Sequence, residues 1–226
     1  LYDLVGADDV RFSPNCWRTR LALAHKGLRC DTRPTLFTAI PGIADRQQKT
    51  VPAIEDGDRV VGDSWKIAEY LEETYPDRPT LFGGPAGKAL SWFIQNWSMA
   101  NLHARIMPVI VLDIHDQLEP ADKPYFRSSR EKRLGRTLEE AQAAGRAAGV
   151  AAFRQGLEPL RMMLATQPFI GGAGPMYADY LVFGPLQWAR TVSNFALLAE
   201  DDPVAAWFGR CLDLYDGLGR AAPARR

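Results

Sequence analysis

The sequence predicts an α/β domain over residues 1–77 followed by an all-helical domain over residues 85–226. Three observations carry this. Short strand-type runs alternate with helix-type runs only in the first third of the chain. Pro76-Asp77-Arg78-Pro79 and Gly83-Gly84-Pro85 then punctuate it heavily enough to mark a boundary. From Ala86 onward the strand signal disappears.

Leu1 to Val5 is a short apolar run that reads as the first strand. Phe12-Ser13-Pro14-Asn15-Cys16-Trp17-Arg18-Thr19-Arg20 then leads into Leu21-Ala22-Leu23-Ala24-His25-Lys26-Gly27, a loop feeding a helix. Ser13-Pro14 suits a helix start, because proline in the first turn gives up an N–H that has no intrahelical acceptor. Lys26-Gly27 supplies the cation and glycine expected at the other end. Residues 29–36 hold few strong strand formers, and their place before a loop predicts the second strand. Residues 37–50 are polar and carry Pro41-Gly42; a loop of this length is functional or hides a helical turn. Val51-Pro52-Ala53-Ile54-Glu55 and Arg59-Val60-Val61 flank an Asp56-Gly57 turn and predict two short strands. A proline inside the first of them points to an edge or a cis bond. Gly62-Asp63-Ser64 precedes Ile67, Ala68, Tyr70 and Leu71 at helical spacing, with either Asp63 or Ser64 as cap.

In the second half, Trp92, Phe93, Asn96, Trp97 and Ala100 recur at helical spacing, and Pro108 is expected to kink or end that helix. Residues 116–123 read as a connection. Residues 128–166 read as one long helical region with Leu134, Leu138, Phe153, Leu157, Leu160 and Leu164 on its apolar side. Gly145 and Gly149 would let another helix approach closely there, at about 1 kcal/mol of helix stability each. Residues 168–175 form a glycine-rich loop, 177–190 another helix, 203–218 a last one, and 220–226 a solvated tail. The Gly171-Gly172 pair lacks the spacing of a phosphate-binding loop and reads as a connector.

At 226 residues the chain can bury a sizeable core. Its 27 basic and 27 acidic residues cancel, which argues against nucleic acid or an anionic membrane surface as partner. Cys16, Cys30 and Cys211 have no CxxC spacing, and His25, His103 and His115 no metal spacing. Neither a disulfide framework nor a metal site is expected, and a reducing compartment fits. No apolar run reaches the roughly 18 residues that span a bilayer, and the first residues form no signal core. The chain opens without methionine, so a few residues are expected to precede Leu1.

With Ser13-Pro14 at the first helix, Val51-Pro52 at an edge strand and Asp63-Ser64 at the last helix, ahead of an all-helical domain, the chain resembles the glutathione transferases. Further matching stretches are Arg18-Thr19-Arg20-Leu21, Lys26-Gly27, Lys49-Thr50-Val51-Pro52-Ala53-Ile54, Ile67-Ala68-Glu69-Tyr70-Leu71 and Tyr75-Pro76. Their order and spacing together carry the resemblance over essentially the whole chain. Within that superfamily the helical half is most similar to the bacterial glutathione-dependent β-aryl etherases and related fungal glutathione transferases. The stretches behind this are Tyr125-Phe126-Arg127, Arg130-Glu131-Lys132-Arg133, residues 165–172, Tyr177-Ala178-Asp179-Tyr180, Gln187-Trp188-Ala189-Arg190 and residues 197–204. One departure is Met176, which stands where such transferases usually carry a threonine or serine that caps the helix with the aspartate at position 179.

The resemblance implies a thioredoxin-like first domain that binds glutathione, a helical second domain that supplies a hydrophobic substrate site, a homodimer and a cytoplasmic location. The reactive group is then the glutathione thiol. Lowering a thiol pKa of about 8.5 by about two units takes roughly 2.7 kcal/mol of preferential thiolate stabilisation. A hydrogen bond to a charged group contributes roughly 1.5–3 kcal/mol and a helix N-terminus about 0.3–1 kcal/mol. Ser13 with the first helical turn therefore suffices without a base, and the side-chain amide of Asn15 is the second candidate.

Ser64, at a helix N-terminus beside Asp63, is placed for the γ-glutamyl carboxylate. Val51 offers backbone groups to an extended tripeptide, and Pro52, cis by resemblance, turns that edge toward the ligand. Lys49 either pairs with a glutathione carboxylate or faces solvent. Cys16 occupies the second cysteine position of the C-P-x-C motif of glutaredoxin-like folds, with Ser13 in the first; dithiol exchange is out of reach and Cys16 reads as structural. For a hydrophobic aromatic electrophile held between the domains, Trp97, His103, Tyr125, Tyr177 and Trp188 are the candidates. The reaction implied is attack of the glutathione thiolate at the carbon β to an aryl ketone, releasing a phenol from a lignin-type β-O-4 ether. Alternatives are a transferase of broad scope, an isomerase of the maleylacetoacetate type whose dicarboxylate substrate calls for cations such as Arg105, and a carrier of hydrophobic ligands without turnover.

Overall fold

The computed structural model describes residues 1–43 and 48–225. Strands β1 (Tyr2–Leu4), β2 (Arg33–Thr35), β3 (Ala53–Asp56) and β4 (Arg59–Gly62) form one mixed sheet in the order β2-β1-β3-β4. β1 and β2 are parallel, with Tyr2 opposite Arg33, as their connection through helix α1 (Pro14–His25) requires. β3 runs antiparallel to β1 and to β4, and Gly57, at φ +57°, makes the turn between β3 and β4. Helix α2 (Ser64–Thr74) follows. A helical turn over Phe37–Gly42 occupies the start of the long stretch before β3; residues 44–47 of that stretch lie outside the described residues.

Both helix starts follow from short side chains. Ser13 Oγ accepts from the Cys16 N–H at 3.2 Å, and Pro14 occupies the first turn of α1. At α2 it is Asp63, rather than Ser64, that caps: its carboxylate accepts from the N–H groups of Trp65 and Lys66 at 3.0 and 3.1 Å. Asp63 itself is held in the left-handed region, at φ +74°.

The helical half begins with α3 (Pro85–Ser98) and α4 (Ala104–Asp116), one rod interrupted by a π-helical turn over Met99–His103. Pro108 does not end this rod. The region expected as long and helical is helical in four pieces: α5 (Lys123–Leu134), α6 (Leu138–Ala144), α7 (Val150–Gln155) beyond a second π turn at Gly145–Gly149, and α8 (Glu158–Leu164). Gly135, at φ +69°, ends α5, and a capping box of Thr137 and Glu140 starts α6. Gly145 admits a neighbour as expected, since a Cβ there would lie 2.6 Å from the Pro108 carbonyl oxygen, whereas Gly149 has nothing nearer than Val109 Cγ2 at 3.9 Å.

Helix α9 (Tyr177–Val192) is the central one: of its 16 residues only Arg190 is not buried. Without a hydroxyl at Met176, Asp179 caps it. That buried carboxylate accepts from the N–H groups of Ile170, Gly171 and Met176 and from Trp207 Nε1, all at 2.8–3.0 Å. The last helical stretch is divided into α10 (Pro203–Leu212) and α11 (Leu214–Ala221), the latter with left-handed residues at Tyr215, Asp216 and Gly217. The tail is exposed yet fastened, with the Arg225 N–H donating to the Arg190 carbonyl at 3.0 Å.

The two halves meet chiefly where α1 packs on α9. Gly184 makes this possible, because a Cβ there would lie 2.4 Å from the Pro14 carbonyl oxygen. Buried Arg18 reaches across, donating to Gln95 Oε1 at 3.0 Å and the Leu181 carbonyl at 3.2 Å. A second clasp is Asp122, which accepts from the N–H groups of Phe37 and Thr38 and from Thr38 Oγ1 at 2.7–2.9 Å. No helix of the described residues is long and apolar enough to cross a membrane.

Candidate active site

Between the halves lies a cleft of about 390 Å³. Its first wall is Ser13 and Asn15 at the start of α1, Phe37 and Ile40 of the short helical turn, and Lys49, Thr50 and Val51 ahead of β3. Facing it are His103 of the π turn, Met107 and Ile114 of α4, Trp188 of α9, and a stripe of α5 formed by Phe126, Arg130 and Arg133 with Tyr125 beside it. The stripe exists because positions i, i+4 and i+7 share one helical face.

The peptide bond between Val51 and Pro52 is cis, and the Pro52 carbonyl accepts from the Asp63 N–H at 3.1 Å. This bond ties the strand entrance to the start of α2, so Ser64 sits alongside the same turn. Among the described residues the N–H and C=O of Val51 have no hydrogen-bond partner, which leaves a short stretch of backbone open to an extended peptide. Lys49 is exposed at the rim, and Ser13 is buried with its hydroxyl on the first turn of α1.

Of the residues expected to contact ligand, Ser13, Asn15, Lys49, Val51, His103, Tyr125 and Trp188 line the cleft. Pro52, Asp63 and Ser64 stand next to it through the turn just described. Trp97 and Tyr177 do not line it. Tyr177 is fully buried, packed against Trp65, Phe82 and Tyr180, and its hydroxyl donates to the Ser64 carbonyl at 2.7 Å. Burial pushes its phenol well above the usual range, so it holds the start of α2 in place rather than meeting a substrate. Trp97 packs half-buried against the core, and Arg105 turns away to the Ala152 carbonyl and Asn101.

Cys16 is buried beneath the site, where burial and then the neighbouring Asp3 carboxylate push its thiol well above the usual range. An un-ionised thiol in such surroundings is inert. His103 stacks on Trp188, with centroids 4.8 Å apart and planes at 29°. Burial, followed by the charges of Arg18, Arg133 and Arg130, lowers its pKa to about 4. Neutral at physiological pH, it can donate or accept a hydrogen bond. No group of three His, Cys, Asp or Glu among the described residues is placed to hold a metal ion.

Phe37, Phe126, Arg130 and Arg133 were not legible as site residues. The i, i+4, i+7 spacing in α5 marks a face, and only the fold decides that this face turns to the cleft.

A small mixed sheet with a cis-proline edge at the starts of two helices, joined to an all-helical half, defines a thioredoxin-like fold with a helical companion domain. Residues 9–79 match the family description "Glutathione S-transferase, N-terminal domain" and residues 89–214 match "Glutathione S-transferase, C-terminal domain". The chain belongs to the glutathione S-transferase family. It is similar to the glutathione S-transferase-like protein ustS of Aspergillus flavus, 27% identical over 206 residues, 79% of this chain and 74% of that one. A glutathione transferase structure from Phanerochaete chrysosporium superposes with a TM-score of 0.83 at 26% identity, over 92% of this chain and 94% of that one. A glutathione S-transferase of Ceriporiopsis subvermispora, in complex with glutathione, does so with a TM-score of 0.82 at 25% identity, over 95% of both chains. Members of this family use glutathione as cosubstrate.

Proposed function

We propose that this chain is a glutathione transferase that cleaves β-aryl ethers. The observation that carries the reading is the convergence in one cleft of the Ser13 helix start, the open Val51 edge at the cis-proline and an aromatic wall from the helical half. The residues present fit glutathione, an extended tripeptide with a carboxylate at each end. Val51 pairs with its backbone, Ser64 and the start of α2 receive the γ-glutamyl carboxylate with Asp63 shaping that start, and Lys49 faces the other carboxylate. Residues 1–77 form the glutathione-binding domain and residues 85–226 the domain that holds the electrophile.

Ser13 donates to the sulfur and, with the first turn of α1, favours the thiolate; Asn15 is the second donor within reach. His103, Tyr125 and Trp188 face the electrophile. The new C–S bond forms at the carbon β to the aryl ketone as the C–O bond breaks, and the electron pair leaves with the aryloxide, which then takes a proton from water. A phenol with a pKa of about 10 leaves readily, so no general acid is demanded.

Leu90, Trp92 and Phe93 are exposed on α3, with Trp92 4.8 Å from Trp65, an apolar face that supports a homodimer. The free cysteines Cys16, Cys30 and Cys211 support a cytoplasmic location.

The test is an aryl ketone β-ether whose leaving phenol fluoresces, supplied with glutathione. Ser13→Ala is expected to lower kcat/KM by about tenfold to a hundredfold, the loss of roughly 1.5–3 kcal/mol of hydrogen bonding to a charged sulfur, and Asn15→Ala by less. No phenol release while glutathione still binds would rule out ether cleavage.

A further inference from the structure

We propose that the second substrate of this cleft is an aromatic acid, whose carboxylate docks on Arg130 and Arg133 while its ring lies against the aromatic side chains next to them. This rests on the transferase reading above and names the substrate class for it. The chain as a whole is charge-neutral, yet the cleft is not: its described lining holds Lys49, Arg130 and Arg133 and no carboxylate. Neither arginine has an ion-pair partner among the described residues. On the same helix Arg127 is held by Glu131 and Glu139 at 2.8 and 2.9 Å, whereas half-buried Arg130 and exposed Arg133, which line the cleft, have no such partner among the described residues.

The Arg130 guanidinium lies over the Phe126 ring at 4.5 Å and the Phe37 ring at 5.3 Å. Stacking uses the face of a guanidinium; on the edge of Arg130, Nη1 donates to Ser129 Oγ at 2.8 Å, and the remaining N–H groups are left for a carboxylate. Phe37 also sits 6.0 Å from Tyr125, so the cation is framed by aromatic rings against which an aromatic ligand can lie. Two cations facing one cleft repel each other until an anion bridges them, and the pKa of Arg130 is lowered first by burial and then by the charge of Arg133. The same field reaches His103 across the cleft. Lys49, on the opposite wall at the rim, is left for glutathione.

The test compares chlorodinitrobenzoate with its neutral carboxamide, two ligands of one shape. Calorimetric titration into the full chain saturated with S-methylglutathione, which cannot react, reads binding; the same titration without it reads binding should the chain take no glutathione. Turnover with glutathione, corrected for the uncatalysed rate, is read separately. The acid is expected to bind at least about tenfold more tightly than the amide, and added salt to narrow the gap. Arg130→Met with Arg133→Met is expected to bring the ratio near one, the corresponding lysine pair to keep much of it, and Arg220→Met, remote on a surface pair with Asp213, to leave it intact. Equal binding of acid and amide, or a preference that survives the methionine pair, overturns the inference. So does a methionine pair that loses S-methylglutathione instead, because the arginines would then serve glutathione. Acid preference without phenol release from the β-ether of the preceding assay upholds the docking site and removes the ether-cleaving reading; phenol release without acid preference does the reverse.

Discussion

His103 shows how far the protonation of one side chain is set by its surroundings. In the unfolded chain its imidazole takes up a proton near pH 6.5, in the folded protein only near 4. Between those values the unfolded state binds more protons, so this residue makes stability fall as pH drops through the window, by up to about 1.4 kcal/mol per pH unit, and contributes no slope above it. His103→Asn is expected to flatten the slope between pH 6.5 and 4; identical slopes for native and variant in urea unfolding would disprove the assignment. Which residues reach the cleft was only partly legible in the sequence. Ser13, Asn15 and Val51 could be placed because proline and helix-start chemistry fix their local backbone. Tyr177 and Trp97 could not be told from substrate contacts, since an aromatic on a helix packs in whichever direction the neighbours dictate.

At the scale of elements, α1 and α9 are joined at Gly184. Its missing side chain brings the Pro14 carbonyl, and with it the turn that carries Ser13, against the central helix. Gly184→Ala puts a methyl 2.4 Å from that oxygen. The expected result is a loss of about 1–3 kcal/mol in stability, and a larger proportional loss of glutathione-dependent activity than Gly145→Ala, which overpacks at the Pro108 carbonyl. Equal activity losses in the two variants would mean that α1 is not positioned this way. The sheet and its helices were legible because strand, turn and cap signals are local. The division of residues 128–166 was written in Gly135 and in Thr137-x-x-Glu140, but leucines spaced for a continuous apolar side masked it. Of the two outcomes expected at Pro108, a kink or an end, the end does not occur, since α4 runs on to Asp116.

For the whole molecule, the cleft depends on both halves holding their walls at a fixed separation, and Asp122 links them from the end of the α4–α5 connection. Asp122→Ala removes the acceptor for three donors on Phe37 and Thr38. A loss of roughly 2–4 kcal/mol is expected, with faster hydrogen exchange confined to the Phe37–Gly42 turn and a raised KM for the electrophile; unchanged exchange there would remove Asp122 from this role. The two-part architecture was legible because the strand signal stops at a run of proline and glycine, whereas the clasp joins residues 84 and 85 positions apart and leaves no local mark. The π turn at Met99–His103 bears on how such a chain can change. Upstream of it the rod shows Leu90, Trp92 and Phe93 to the outside, and from its last residue onward it aims His103, Met107 and Ile114 into the cleft. Removing one residue would restore an ordinary pitch and rotate the whole downstream segment by about 100°. The aim of that wall is therefore stored as a length of chain, a quantity that point substitutions leave untouched and a single lost codon resets.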